Sequence, residues 1–149
     1  MHIAVSNDHA GYPLKSHVLA HLRDRGHDVI DVGTDSDAPV DFPVMTRRVT
    51  TLVREQTVER GVLLCGTGVG ATIAANKVPG IRAALIHDTH VARQCVEHDD
   101  VNVACLGAWI VGPRIAEDVL DAYLAARFDD TDDVRRRLAQ LADMERALP

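Results

Sequence analysis

Aromatic residues and excess positive charge are the features that this sequence most clearly lacks. Trp, Tyr and Phe make up 3% of the 149 residues, and the formal net charge at pH 7 is −6. Proteins that bind nucleic acids in general use aromatic side chains for base stacking and basic side chains for phosphate contacts. We therefore expect no nucleic-acid partner.

Long apolar runs and paired cysteines are also missing. No stretch approaches the roughly 20 apolar residues needed to cross a bilayer, and no basic segment leads into an apolar one as in a secretory signal. The cysteines Cys65, Cys95 and Cys105 have no CxxC spacing, which indicates neither a disulfide framework nor a zinc site. We expect a cytoplasmic protein with reduced thiols and no membrane partner.

Short apolar runs alternate with amphipathic segments along most of the chain. The apolar runs, predicted as strands, are His2–Ser6, Asp28–Val32, Gly61–Cys65, Arg82–His87 and Val101–Leu106. The predicted helices lie between Pro13 and Gly26 and over Val44–Gln56, Gly70–Lys77, Thr89–Glu97 and Arg114–Ala126. The strands alternate little between apolar and polar residues, as is typical of a sheet covered on both faces. The pattern predicts an α/β fold with a doubly wound, mainly parallel five-stranded sheet in three layers.

The C-terminal segment, residues 129–149, follows the last predicted strand and helix. Val134, Leu138 and Leu141 recur there at helical spacing, which predicts an extra C-terminal helix with one apolar face. This face packs on its own domain or on a second subunit, and the spacing alone leaves both possibilities open.

The most informative stretch is Cys65-Gly66-Thr67-Gly68-Val69-Gly70, between a predicted strand and a predicted helix. Its glycines let successive backbone N–H groups turn towards one point, and the helix N-terminus adds positive potential there. A cysteine beside these groups should have its thiolate favoured, which makes Cys65 a candidate base or nucleophile. A buried, apolar cysteine before an ordinary turn is the alternative.

The glycine spacing fits neither of two common nucleotide-binding loops. The order is not GxGxxG, and the loop lies far from the first strand of the fold, which argues against dinucleotide binding. Gly70 is followed by Ala71 and Thr72, so the Gly-Lys-Ser/Thr ending of a P-loop is absent. Ala71 also stands where a cysteine phosphatase requires arginine. These classes are therefore disfavoured.

A reaction that passes through a carbanion fits the loop better. Cys65 would remove a proton next to a carbonyl, and the loop N–H groups would stabilise the enediolate oxygen. Asp8, which follows the first strand, should meet this loop at the carboxyl edge of the sheet, either to orient hydroxyls or only to cap a helix. His98 is a candidate for sugar ring opening, and a plain surface histidine is the alternative. Residues Gly33–Pro43 are predicted to be a surface loop that forms one wall of the cleft.

Over nearly its whole length the sequence resembles the ribose-5-phosphate isomerase B and galactose-6-phosphate isomerase family. The matching segments are Asp8-His9-Ala10-Gly11, Val40-Asp41-Phe42-Pro43, Cys65 to Gly70, Ile73 to Ala84, His87-Asp88, Asn102-Val103 and Leu106-Gly107. The resemblance implies an aldose–ketose isomerase without metal or cofactor, built as one Rossmann-like sugar-isomerase domain over residues 1–149. It further implies a homodimer or homotetramer whose sites are completed by the neighbouring subunit, with the C-terminal helix crossing to the partner.

The resemblance also assigns roles to individual positions. Cys65 matches the base that moves a proton between C1 and C2, Thr67 and His98 match the ring-opening pair, and Asp8 matches a residue that contacts sugar hydroxyls. His9 matches a contributor to phosphate binding, and Gly66 to Gly70 match the anion hole. The full set of implied substrate-binding positions is His9, Phe42, Gly66, Gly68, Val69, Gly70, Asp99, Trp109 and Arg136.

The departures from the family pattern concentrate on recognition of the substrate. Trp109 and Asp132 stand where the family carries arginines, whereas Arg136 keeps its match. The usual Asn and Tyr are replaced by Asp99 and Phe42. A charge-assisted contact contributes about 1.5–3 kcal/mol, so losing two arginines would weaken phosphate binding by roughly two to four decades.

Two alternatives to an ordinary sugar-phosphate isomerase therefore stay open. The first is the same chemistry on an unphosphorylated or modified sugar, with Trp109 stacked on its apolar face, unless Arg93, Arg135 or Arg137 replaces the lost contacts. The second is a sugar-binding protein without catalysis, against which the intact Cys65 and His98 argue.

Overall fold

Parallel strands and helices alternate through the described part of the chain, residues 1–146 of a computed structural model. The strands are β1 His2–Asn7, β2 Asp28–Asp31, β3 Arg60–Cys65, β4 Ala83–Leu85 and β5 Val103–Gly107. The helices are α1 Tyr12–Asp24, α2 Phe42–Arg54, α3 Val69–Ala75, α4 Thr89–Asp99, α5 Pro113–Ala125 and α6 Asp132–Arg146. The predicted α/β fold is confirmed, although β4 is shorter than expected and α2 begins two residues earlier.

The strands form one sheet in the order β2-β1-β3-β5-β4, and every neighbouring pair is parallel. This order places the first and third strands side by side in the middle of the sheet. Their carboxyl ends therefore lie at the same edge, where ligands bind in sheets of this kind. The strand register fixes which residues lie side by side at this edge, since Asn7 pairs with Leu64 and Cys65 pairs with Gly107.

Alternate residues of the central strands bury into two separate apolar layers. Val62 and Leu64 face the layer that holds side chains of α1, α4 and α5. Leu63 and Cys105 face the opposite layer, which holds side chains of α2 and α3. Both faces of the sheet are therefore covered, which explains the near-continuous apolar runs in these strands.

Local sequence sets where several helices begin. Pro13, Pro43 and Pro113 occupy the first turns of α1, α2 and α5, where a residue without an N–H costs no helical hydrogen bond. No helix within residues 1–146 is both long and apolar enough to cross a membrane.

Helix α6 confirms the predicted C-terminal helix but is mostly uncovered. Val134 is its buried residue, while Leu141 and Met144 are exposed. Its last turn is joined to the loop before β4, because the Gly80 N–H donates to Glu145 Oε2 at 3.1 Å. The predicted tail of residues 129–149 also includes residues 147–149, which lie outside the described part.

Candidate active site

Asp8 and Cys65 meet at the carboxyl edge of the sheet, as the strand-end argument predicts. The Asp8 N–H donates to the Leu64 carbonyl oxygen at 3.1 Å, which ties the end of β1 to the end of β3. The Asp8 carboxylate lies near enough to the Cys65 thiol to raise the pKa of that thiol. Asp8 is buried and Cys65 is partly exposed, so a carboxylate and a thiol lie together at this edge.

The Asp8 carboxylate also serves the adjoining helix. Its Oδ1 accepts the Gly11 N–H at 2.8 Å, directly before α1. The N-cap of α1 is Gly11 and no side chain caps this helix, so the capping alternative for Asp8 is wrong in its strict sense, because the carboxylate binds the turn before the helix instead.

The glycine loop turns its backbone towards the Cys65 sulfur. Gly68 has a φ of +80°, a left-handed conformation that glycine adopts without steric cost. The backbone N–H groups of Gly66 and Gly68 act to lower the pKa of the Cys65 thiol, which is the direction that favours the thiolate. The loop then enters α3, and Thr67 Oγ1 accepts the Val69 N–H at 3.4 Å. Thr67 is therefore held within the glycine loop, next to the start of α3.

The pKa of Cys65 departs from the sequence-based expectation. Burial is the largest cause that raises this pKa, and hydrogen bonding to Asp8 and the negative charge of Asp8 raise the pKa further. The loop N–H groups of Gly66 and Gly68 lower it by less than these effects. The prediction of a favoured thiolate is therefore wrong for the free chain, because desolvation and a neighbouring carboxylate both penalise the anion.

His9 contacts the loop after β2, and Phe42 contacts the glycine loop. The Val40 N–H donates to His9 Nδ1 at 3.2 Å. The Phe42 ring packs over Gly70 in the glycine loop. Phe42 therefore lies beside the Cys65 loop, and His9 directly follows Asp8 at the same edge of the sheet.

Trp109 lies directly beside the glycine loop and is 71% exposed. Its backbone N–H donates to the Gly66 carbonyl oxygen at 2.9 Å. A Cβ atom on Gly66 would lie 2.8 Å from the indole ring, so a larger residue at this position would displace the ring. An exposed aromatic ring thus lies against the first glycine of the loop.

His87 supports the same turn, a role that the sequence does not predict. Its Nε2 accepts the Gly107 N–H at 3.1 Å, and burial lowers the pKa of this imidazole. The neutral ring is the form that accepts this hydrogen bond. The sequence does place His87 at the end of a predicted strand, where functional side chains are common. It does not show the contact with Gly107, because that contact depends on how the chain turns after β5.

Comparison with known proteins places this geometry in a family. A family model described as "Ribose/Galactose Isomerase" matches residues 3–141. The chain belongs to this isomerase family. Ribose-5-phosphate isomerase B of Escherichia coli strain K12 is 42% identical over 127 residues, which cover 85% of each chain. The predicted reaction class, aldose–ketose isomerisation, is thereby confirmed.

Solved structures of family members share the whole fold. Ribose-5-phosphate isomerase B of Clostridium thermocellum has a TM-score of 0.95 and 40% identity, and the match covers 98% of both chains. The Mycoplasma genitalium isomerase, solved with bound ribulose-5-phosphate, has a TM-score of 0.92 and 33% identity, covering 99% of this chain and 97% of the other.

Not all the residues that the isomerase resemblance implies lie near Cys65. His98 and Asp99 occupy the last turn of α4 and are exposed. This turn lies at the amino edge of the sheet, because Arg82, just before β4, donates from Nε to the Asp99 carbonyl oxygen at 3.0 Å. Within one chain, these two residues and the Cys65 loop are therefore at opposite edges.

Arg136 likewise lies away from the Cys65 loop. The segment that leads into α6 is held to the last turns of α4, since the Asp129 N–H donates to the Glu97 carbonyl oxygen at 2.8 Å. Arg136 is exposed and pairs with Asp133 at 2.6 Å. The candidate substitutes for the missing arginines are also engaged: Arg93 pairs with Glu97, Arg135 with Asp130 and Asp132, and Arg137 with Asp133.

Metal ligands are not grouped in the part of this isomerase that the structure describes. No set of three or more His, Cys, Asp or Glu side chains among residues 1–146 is arranged to hold a metal ion. The chemistry available at the carboxyl edge is that of a thiol, a carboxylate, a hydroxyl, an imidazole and backbone N–H groups.

Proposed function

We propose that this isomerase interconverts ribose 5-phosphate and ribulose 5-phosphate through a cis-enediolate, with Cys65 as the base. The observation that carries the proposal is the meeting of Asp8 and Cys65 at the carboxyl ends of β1 and β3, where the Asp8 N–H donates to the Leu64 carbonyl oxygen at 3.1 Å beside the Gly66–Gly70 loop. The relative from Mycoplasma genitalium, which carries bound ribulose-5-phosphate, supports this choice of substrate.

The proton moves along a short path in this proposal. The Cys65 thiolate takes the proton from C2 of the open-chain aldose, and the electron pair moves to the C1 carbonyl oxygen, where backbone N–H groups stabilise the charge. The hydroxyl proton passes from O2 to O1, and the thiol returns its proton to C1. The raised thiol pKa has two opposite effects on this step, because it reduces the share of thiolate at neutral pH while it makes each thiolate a stronger base towards a proton on carbon.

Asp8 has two tasks in the same scheme. Its negative charge raises the pKa of the nearby thiol and thereby strengthens Cys65 as a base. It also lies close enough to the sulfur to orient hydroxyl groups of the bound sugar. Thr67, in the loop, is assigned to ring opening together with His98.

The position of His98 leads to a proposal about assembly. His98, Asp99 and Arg136 are exposed at the amino edge of the sheet, and α6 buries little beyond Val134. We propose a homodimer, or a pair of dimers, in which α4 and α6 of one subunit complete the Cys65 site of the other. An isologous contact of this kind yields two equivalent sites.

Trp109 is the residue that best discriminates between the candidate substrates. Its exposed ring beside Gly66 suits contact with the apolar face of a sugar, and it brings no charge for a phosphate. Arg136 is then the cation proposed to bind the phosphate from the partner subunit. An unphosphorylated sugar is the second candidate, and this exposed ring is the observation that favours it.

Turnover of matched sugars tests the proposal. kcat/KM is measured for ribose 5-phosphate, ribose and allose under the same conditions, together with exchange of the C2 proton with solvent. We expect ribose 5-phosphate to be preferred by two decades or more, since charge-assisted contacts to phosphate contribute about 1.5–3 kcal/mol each. Faster turnover of a free sugar would show that the substrate is the second candidate, an unphosphorylated sugar. Binding without proton exchange would reject isomerisation of these sugars.

We also propose a cytoplasmic location. Cys65, Cys95 and Cys105 are free thiols, the state that reducing compartments maintain.

A further inference from the structure

Lys15 is a buried charged side chain that the proposed reaction does not use. It lies in α1 with 5% of its surface exposed, and lysine is rarely buried this far without partners. Its Nζ lies 2.8 Å from Asp31 Oδ2 and 2.6 Å from Asp35 Oδ1, and it donates to the Thr34 carbonyl oxygen at 2.9 Å. All three partners belong to the end of β2 and the loop that follows it.

The ammonium group is held in its charged form. Burial by itself lowers the pKa of Lys15, but the hydrogen bonds and charges of Asp31 and Asp35 together raise it above its ordinary value. A charge held by two carboxylates and a carbonyl is a strong attachment point for an otherwise irregular segment.

The attached segment is the loop between β2 and α2, residues 32–41, which has no helix or strand. Asn7 reinforces the attachment, because its Nδ2 also donates to the Thr34 carbonyl oxygen, at 3.2 Å. Beyond this point Asp35 to Pro39 are exposed. The next tie is the Val40 N–H, which donates to His9 Nδ1 at 3.2 Å.

The Val40 contact determines which nitrogen of His9 carries the proton. A ring nitrogen that accepts a hydrogen bond from a backbone N–H has no proton of its own, so the neutral His9 ring holds its proton on Nε2. The Nε2–H group is then a hydrogen-bond donor for an oxygen of a bound anion.

We propose that Lys15 is a positioning residue that fixes the loop of residues 34–40, so that Val40 keeps His9 as an Nε2–H donor towards the substrate. The role of His9 towards the substrate rests on the proposed isomerase function. The His9 tautomer rests only on the contacts from Lys15 to Thr34 and from Val40 to His9.

Nitrogen NMR of the His9 ring tests, without any substrate, whether Lys15 sets the tautomer of His9. The variant is Lys15→Met, which keeps the apolar stem of the side chain, and the matched control is Lys77→Met at an exposed lysine. We expect the Nε2–H form in the parent and the control, and a mixture of tautomers in Lys15→Met. The His9 signals are assigned with His9→Gln, and thermal unfolding verifies that each variant is folded.

Asp35→Ala keeps the test decisive if Lys15→Met does not fold. Asp35 is almost fully exposed, with 93% of its side chain accessible, so its loss removes one attachment of the loop without opening the core. We expect a smaller tautomer shift in the same direction. Unchanged His9 signals in each variant that folds would overturn the proposal.

Kinetics with ribose 5-phosphate test whether this positioning serves the substrate. We expect Lys15→Met, or Asp35→Ala in its place, to raise KM more than it lowers kcat, by up to about tenfold, because a mixture of tautomers weakens the contact from His9 without abolishing it. A KM equal to that of Lys77→Met would reject the role of Lys15 in substrate binding. If the parent enzyme itself does not turn over ribose 5-phosphate, the proposed function fails, while the NMR result still decides the role of Lys15.

Discussion

The carboxyl edge of the sheet and its amino edge carry different halves of the implied residue set. At the carboxyl edge, Asp8 lies next to Cys65, because its N–H donates to the Leu64 carbonyl oxygen while its carboxylate accepts the Gly11 N–H. At the amino edge, His98 and Asp99 are exposed in the last turn of α4. Parallel strands bring their ends together, whereas a crossover helix carries its own end back to the other edge. In the proposed assembly, each chain would thus present two half-sites at opposite edges of its sheet.

The largest effect should come from breaking the carboxyl-edge half. We expect Cys65→Ala to lower kcat for isomerisation by about 10²–10⁴-fold or more, the usual contribution of a general base. The measurements are turnover of the sugar and exchange of its C2 proton with solvent. Circular dichroism should be unchanged, because the sulfur is partly exposed.

Cys95→Ala is the matched control for this variant. Cys95 is buried in the layer of α1, α4 and α5, far from the glycine loop, so its removal should leave kcat close to that of the parent. If Cys65→Ala retained near-parental turnover, Cys65 would not be the base.

The next largest effect is expected when residues of the two edges are combined in a mixed dimer. Cys65→Ala and His98→Ala are each expected to be nearly inactive as homodimers. When the two variants are co-expressed with different tags and purified through both, the mixed dimer should have about half the parental activity, because one of its two sites has both residues intact.

This complementation separates shared sites from sites within one chain. In the second case every subunit of the mixed dimer carries a defect in its own site, and activity stays absent. A doubly tagged dimer of two Cys65→Ala chains is the control, and it should remain inactive under either arrangement.

The smallest expected effect is a shift in the pH at which Cys65, at the carboxyl edge, becomes reactive. Since burial and Asp8 raise the pKa of Cys65, alkylation by iodoacetamide should increase with pH at higher values than for an ordinary thiol. Asp8→Asn removes the negative charge while its amide oxygen can still accept the Gly11 N–H. We expect the alkylation profile to move to lower pH in this variant.

The remaining cysteines supply the background for the alkylation experiment. Burial raises the pKa of Cys95 to about 11 and that of Cys105 to about 12, so both should react slowly. Cys65→Ala measures this background directly. A profile that does not move in Asp8→Asn would show that the carboxylate leaves the thiol pKa unchanged.

The sequence predicts the part of the site that follows from strand order. Alternating apolar runs imply parallel strands, and this alone brings Asp8 to the Cys65 loop. The direction of the Cys65 pKa shift was not predictable from the motif, because desolvation and the distance to Asp8 depend on packing. The contacts from Lys15 to Thr34 and from Val40 to His9 depend on the path of an irregular loop, which no periodic pattern encodes.

Trp109 is the sole tryptophan of the chain, and its ring lies against Gly66 at the rim of the proposed site. Its fluorescence emission therefore originates from a single position beside the glycine loop. Excitation that selects indole gives a signal without contributions from the core or from the helices. The protein thus carries an intrinsic optical probe, and changes in its quantum yield follow events at the glycine loop without an added label.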